Sequence, residues 1–461
     1  AAAMRRPEAR RHDFLIVDQE ECLGGLCRCV GRQNLPHAVG PHFVSFPEPS
    51  TEPLLGFYED IGIIEGYSDD GYPVVPKVHH ADPYHIKNIW AKGRWNPSSF
   101  PEHIASKEDL RCHRALLKDI EAWSFWKDSQ GRPALGLPFS RISEESIVRE
   151  LDTLSFDEYL RRKGFRTELL AWWCKNRLLD EYGTPIERLS AWAGLEYFRE
   201  MDLDPKASER ADNLTWSTGL SFLGNKMDEK IPSEKKLTKK LVTRVANLGD
   251  LVEVVLLDVE SKRYETIMAR HAVIAVPKPQ IYHIMPELTS SDVEDFKSFP
   301  YVSWMVAAVH FKRLPKFDGS EVAWDNLICP SWTLGWIHNQ YTLRTRWPEH
   351  EPLVASLYAC FPYNTKEERR ELLDYGWDYW ARLILLELKK VHPGVEKIIE
   401  RIDIWKWGHP MRQTIVGSLW SKPLQRMRKP RGRIRLAHVD VQSIPVFEEA
   451  IYRGYEVAEE I

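Results

Sequence analysis

The chain has 461 residues, of which 43% are hydrophobic and 28% charged, enough for two or three domains around well-buried cores. Lys and Arg number 63 against 67 Asp and Glu, a net charge of −4, so no strong overall field draws nucleic acid or an anionic membrane. The longest apolar runs, such as residues 302–309, fall far short of the roughly 18–20 residues that span a bilayer. No secretory signal is visible, and the cytoplasm is the expected setting.

The first ten residues, AAAMRRPEAR, have a helical composition that Pro7 must kink or end. Residues 12–17 then form a short apolar run that closes on Asp18, followed by a polar turn and the pair Gly24 and Gly25. Such a run predicts a strand buried on both faces of a parallel sheet. A helix leading into a parallel strand that ends in an acid is the second half of a dinucleotide-binding βαβ unit, whose acid accepts hydrogen bonds from a ribose. No strand and no G-x-G-x-x-G precede residue 1. The chain is therefore expected to begin inside the first helix, just after the glycine loop. Cys22, Cys27 and Cys29 are the one cluster among seven cysteines. They lack a second half at zinc-ligand spacing, so free thiols in a reducing compartment are expected, with a metal or redox site as the lesser alternative.

Residues 34–46 are extended, with histidines on both sides of Gly40. Helical spacing follows over 52–64, ended by Gly62, and again over 156–162 and 168–179. Residues 65–150 show no clean repeat. The 18 Trp fit a chain that encloses something flat or apolar, although most should be ordinary core. The charge run KMDEKIPSEKKLTKK, 226–240, is expected to be a solvated helix or loop rather than a binding tract. Residues 251–259 and 264–269 read as a hairpin, followed by a strand at 271–276 that stops at Pro277. Residues 302–311 are a further strand, 366–391 a helix, 433–437 a short strand, and 446–461 a closing helix after a turn at Asp440.

In that order the pieces resemble the FAD-dependent oxidoreductases of the flavin amine oxidase superfamily, which includes monoamine and polyamine oxidases, protoporphyrinogen oxidase and phytoene desaturase. Three stretches carry the resemblance: IVDQEECLGG, similar to the family's strand–acid–x5–Gly-Gly; LVTRVANLGDLVEVVLLD…ARHAVIAVP, residues 241–277; and RIRLAHVDVQSIPVFEEAIYRGYEVAEEI at the end. VSWMVAAVHF, AWDN, LGW and WGHPM resemble a bacterial subgroup of these flavoproteins. The resemblance implies an α/β fold with α+β substrate parts. A Rossmann-like, doubly wound FAD domain would come from 1–50, 226–299 and 431–461, and an inserted substrate domain from 51–225 and 300–430.

It also implies roles. Asp18 would bind the adenosine ribose, with Gly24, Gly25 and Arg28 near the diphosphate and the Val245 backbone against the adenine. Pro277 would close the third strand. Asp440 would hydrogen-bond the ribityl chain, with Val446 at the start of the last helix, whose N-terminus suits the flavin's N1–C2=O edge. Gly40, His42 and Phe43 would run past the flavin ring. His42 is then a proton relay or a structural histidine, Trp407 and His409 are catalytic candidates, and Trp324, Asp325 and Asn326 line the substrate or make a turn. A flavin accepts the hydride itself, which is consistent with the lack of any Ser-His-Asp, paired-carboxylate or zinc constellation.

The chain departs from the amine oxidases at two markers. The strand beginning Pro300-Tyr301 carries no Lys until Lys312, and Val446 stands where an aromatic cage residue is found. An amine substrate is thus not indicated, whereas desaturase-like and porphyrinogen-like chemistry stays open. The expected activity is hydride transfer from a C–N or C–C bond of a small organic substrate to FAD, with O2 or a quinone as electron acceptor. The alternatives are a non-catalytic binding protein on the same scaffold, like the Rab GDP-dissociation inhibitors, and an NAD(P)-linked enzyme.

Overall fold

A computed structural model describes residues 13–31, 34–81, 87–202, 213–343, 347–363 and 365–461. The helix expected over the first ten residues lies outside them.

The largest sheet has seven strands, in the order Ile399–Arg412, Tyr301–Phe311, Leu353–Phe361, Trp336–His338, Asp325–Ile328, Lys87–Ala91 and Arg94–Pro97. Every pairing in it is antiparallel except that of Asp325–Ile328 with Lys87–Ala91. Tyr301–Phe311 reads as an unbroken apolar run because both of its faces are covered. Met305, Ala307, Val309 and Phe311 pack with Trp380, Ile384 and Leu388 of the Trp377–Val391 helix. Val302, Trp304 and Val306 pack on the opposite side with Trp324 and Tyr358.

A second core lies among the helices Lys107–Phe125, Phe156–Lys163, Glu168–Tyr182 and Ala191–Asp202, around Leu116, Trp173, Leu178 and Trp192. The 19-residue helix Lys107–Phe125 falls in the stretch where no pattern was legible. It opens on a Ser106–Asp109 capping box, and it buries only Cys112, Leu116 and Ile120, one residue per turn. So narrow a stripe gives a weak periodic signal.

Parallel pairing elsewhere is confined, among the described residues, to two separate pairs: Ile16–Val17 with Lys236–Leu237, and Ala272–Ile274 with Ile434–Leu436. The expected doubly wound sheet is thus present only in these pieces of a mixed α/β fold. The strand expected at 12–17 to be buried on both faces is instead two residues long and partly buried, with Leu15 47% exposed. A parallel strand is buried only where neighbours flank it and helices cover both faces, and Lys236–Leu237 is its one described neighbour.

Three further readings are corrected. The charge run at 226–240 is partly strand, since Lys236–Leu237 and the start of Lys240–Asn247 lie in it. The 251–269 hairpin gains its third strand from Lys240–Asn247, while Ala272–Ile274 leaves to pair with the C-terminal strand. The single helix expected over 366–391 is two, Lys366–Asp374 and Trp377–Val391, because Tyr375 is extended and Gly376 serves as an N-cap. The closing helix is Phe447–Glu459, as its pattern required. All seven cysteines are free thiols, and no helix of the described residues is long and apolar enough to cross a membrane.

Candidate active site beneath a backbone strap

The extended segment at 36–43 lies across one face of the seven-stranded sheet as a strap, and its carbonyls are captured almost one by one. Gln340 Nε2 donates to Pro36 O at 2.7 Å, Ser356 Oγ to Ala38 O at 3.3 Å, and Trp407 Nε1 to Val39 O at 2.9 Å. Tyr358 OH donates to Gly40 O at 2.9 Å, the Leu220 N–H to Pro41 O at 3.2 Å, and Thr215 Oγ1 to His42 O at 2.6 Å. A buried strap outside any extensive sheet must have its polar groups satisfied by side chains. These donors come from three strands and two turns far apart in sequence. Gly40 lies so close to the preceding loop that a Cβ there would stand 2.4 Å from Leu26 O.

Beneath the strap lies an aromatic cluster. The His42 ring sits 4.9 Å from Tyr358, 5.2 Å from Phe43 and 5.4 Å from Trp324. Trp304 and Trp407 extend the same cluster. His42 is buried with its Nε2 unpartnered, and burial pushes its pKa down to about 3. The ring is therefore neutral at pH 7 and a poor general base there.

At the edge of the cluster Asp325 is buried, with Arg177 Nη1 3.9 Å away. Burial, and then the neighbouring Asp180 carboxylate, push its pKa up to about 7, while Lys87 and Arg177 pull it back. Asp180 itself is raised to about 6 by burial. This pair titrates near neutrality, the property a proton-handling group needs. Asn326 is structural: its side chain donates to Ala323 O at 2.8 Å and accepts from Ala323 N at 3.2 Å.

The strap and sheet thus bring together Gly40, His42, Phe43, Trp324, Asp325 and Trp407 of the residues the sequence singled out. The remaining candidates lie elsewhere. Asp440 is buried, and its carboxylate accepts from the Lys278 N–H at 3.0 Å and from Tyr301 OH, with His438 Nδ1 at 3.1 Å. Despite burial, these neighbours hold it well below the usual carboxylate range. His409 packs on the other side of Tyr301, with ring centroids 5.6 Å apart, and meets Arg369 through Nε2 at 2.7 Å. Val245 is a core side chain beside Val252 and Ile274. Pro277 is the N-cap of Lys278–Ile284, and Val446 that of Phe447–Glu459. Sequence reasoning missed Tyr358, Ser356 and Asp180. The first two lie on LVASLYACF, a β-rich run that alone carried the available signal.

Two ends of an FAD molecule can be tested against these residues. Asp18 follows the Ile16–Val17 strand, is partly exposed, and uses Oδ1 to accept from the Glu20 N–H at 2.9 Å, which leaves Oδ2 for a ligand. Gly24 and Gly25 have φ of +120° and +54°, with open space beside Gly25, the backbone freedom that close approach to a phosphate uses. Arg28 is paired to Glu20 at 2.9 Å. The adenosine end therefore fits. The flavin end is more crowded: the strap carbonyls are engaged, Asp440 Oδ2 accepts from the Lys278 N–H and Tyr301 OH, which leaves Oδ1 for a ligand, and the last helix opens on Glu448 and Glu449. Those two carboxylates are buried and accept from the Ser45 and Phe139 N–H groups. They occupy the dipole end that a flavin's C2=O edge would use. The recess beside them, lined by Ser45, Glu48, Arg199, Glu200 and Glu448, has a volume of about 10 Å³, far below the roughly 300–1,000 Å³ of small-molecule sites.

The fold is similar along the whole chain to those of solved amine oxidases and of a fatty acid isomerase. A putrescine oxidase variant superposes with a TM-score of 0.70 at 13% identity, covering 100% of this chain and 95% of that one. A fatty acid isomerase from P. acnes that produces CLA gives 0.69 at 16%, and cyclohexylamine oxidase from Brevibacterium oxydans gives 0.67 at 14%, with the same coverage. At such identities the likeness is one of fold. No family model and no curated protein sequence matches the chain.

Proposed function

We propose that this chain is an oxidoreductase of the flavin amine oxidase scaffold that acts on a small, flat or apolar organic molecule. The observation that supports the reading most is the correspondence of fold along the whole chain with Asp18, Gly24 and Gly25 where an adenosine diphosphate end fits. FAD, when bound, would supply a hydride acceptor for a C–N or C–C bond. The chain's own residues would do the rest. Asp18 and the Gly24–Gly25 backbone hold the adenosine end, and the His42, Phe43, Trp324 and Tyr358 rings exclude water. The Asp325–Asp180 pair, with its near-neutral pKa values, takes up a substrate proton. The division into an FAD part (1–50, 226–299, 431–461) and a substrate part, and membership of the bacterial subgroup, belong to the same proposal.

The test is FAD binding by the purified chain, followed by flavin fluorescence and retention through gel filtration. Wild type retains flavin, and Asp18→Ala loses affinity by about tenfold, the order of one or two hydrogen bonds to a ribose. Folded wild-type protein that retains none would overturn the reading. One observation favours a second reading, a binding protein on this scaffold: Asp440 Oδ2 and the strap carbonyls of Ala38, Val39, Gly40, Pro41 and His42 are already engaged internally. In that case a stable protein complex forms in the native cell extract without flavin.

A further inference from the structure

Outside the candidate active site, three metal-ligating side chains converge where the strap first meets the sheet. His37 lies on the strap, His310 near the end of Tyr301–Phe311, and Asp403 on Ile399–Arg412. One ligand atom from each lies within 4.8 Å of the other two. His310 Nε2 is 3.0 Å from Asp403 Oδ2, and the His37 and His310 rings meet edge to face with centroids 5.1 Å apart.

Two features distinguish this group from an ordinary ion pair. His37 is 0% exposed, and its Nε2 has no hydrogen-bond partner, an unfavourable state for a buried polar atom. Its Nδ1 stands 3.2 Å from Leu35 O. A proton on Nδ1 donated to that carbonyl leaves the Nε2 lone pair as the available donor to a cation, the second-shell pattern of metal-bound histidines. His310 Nε2 stands between the Asp403 carboxylate and Arg401 Nη2, which is 3.3 Å away. It cannot donate to the first while accepting from the second.

We infer that His37, His310 and Asp403 form a binding site for one divalent transition-metal ion, with Zn2+ best matched to the ligands, that clasps the strap to the sheet. Two imidazoles and one carboxylate suit Zn2+ with water in a fourth position. Arg401 is the opposing charge, 2.7 Å from Asp403 Oδ2, but its side chain is 56% exposed and free to swing into solvent. Glu400 adds a favourable charge nearby, and Trp405, 6.1 Å from the His37 ring, forms an apolar wall. The inference stands apart from the functional proposal, since none of these residues is placed at the flavin or substrate.

The test uses the full chain without a histidine tag, stripped with EDTA. It is titrated with Zn2+ by calorimetry and with Co2+ by visible absorption. One ion per chain is expected, with the intense Co2+ bands of a four-coordinate site and a Zn2+-dependent rise in melting temperature. Loss of an outer-shell partner alone weakens metal sites 10–100-fold, so His37→Ala and His310→Gln should each weaken binding by at least about 100-fold. Both variants are checked by far-UV circular dichroism, and the expected outcome is undiminished helix content without metal. Arg401→Gln should tighten binding. Less than one ion per wild-type chain, or folded His37→Ala and His310→Gln variants that bind like wild type, would overturn the inference.

Discussion

Asp440→Asn is the substitution with the largest expected effect. Asp440 is 1% exposed, and its carboxylate meets the Lys278 backbone N–H at 3.0 Å and His438 Nδ1 at 3.1 Å, with the buried Arg412 guanidinium acting through space. Lys278 is itself 0% exposed, and burial pushes its pKa down to about 7 even with Asp440 nearby. Asparagine keeps the size and one acceptor but removes the acid that favours the charged form of Lys278. Breaking a buried pair by deleting one charge costs roughly 3–5 kcal/mol. The urea midpoint should fall accordingly, with an unchanged slope. The wild-type dependence on pH has a definite sign. The folded pKa of Asp440 is depressed, so its contribution is complete above the unfolded value, about 3.9, and is lost as pH falls below it. Asp440→Asn should lack that acid-side loss. A change under about 1 kcal/mol at pH 7 would show that Asp440 is not the counter-charge of this cluster and would refute the reasoning.

Other measurements probe other parts. Glu449 is buried, and burial raises its pKa from 4.5 to about 7; a raised acid favours folding below its unfolded pKa and loses that contribution as pH rises toward 7. Glu449→Gln should therefore flatten the decline in stability between pH 4.5 and about 7, an effect on the order of 3 kcal/mol at most, and an unchanged profile would count against the assignment. Tyr358→Phe removes the donor to Gly40 O and should cost about 1–3 kcal/mol in chemical denaturation, with the strap loosened as faster amide exchange at Gly40 and its neighbours. Gly219→Ala combines a φ of +58° with a Cβ 2.5 Å from that of Ala38, so at least about 2 kcal/mol should be lost; a neutral result would mean that the strap yields there.

Local patterns carried the elements whose apolar periodicity matches their burial. Tyr301–Phe311 and Phe447–Glu459 were legible because one is covered on both faces and the other presents a regular stripe. The Asp18–Gly25 turn was legible because acid and glycines act through their own backbone. What the sequence could not show is where carbonyls go. Whether Asp440 meets a ligand or Lys278 and Tyr301 depends on residues 139 to 162 positions away, and no spacing encodes that. The same holds for the strap, whose donors at Thr215, Gln340, Ser356, Tyr358 and Trp407 are ordinary residue types that became specific only through sheet register. His37, His310 and Asp403 likewise lie far apart in the chain, with no metal-binding spacing to announce them. Short-range propensity and burial pattern determined the segments and the class of fold; long-range pairing decided which polar groups are spent on structure and which remain for a ligand.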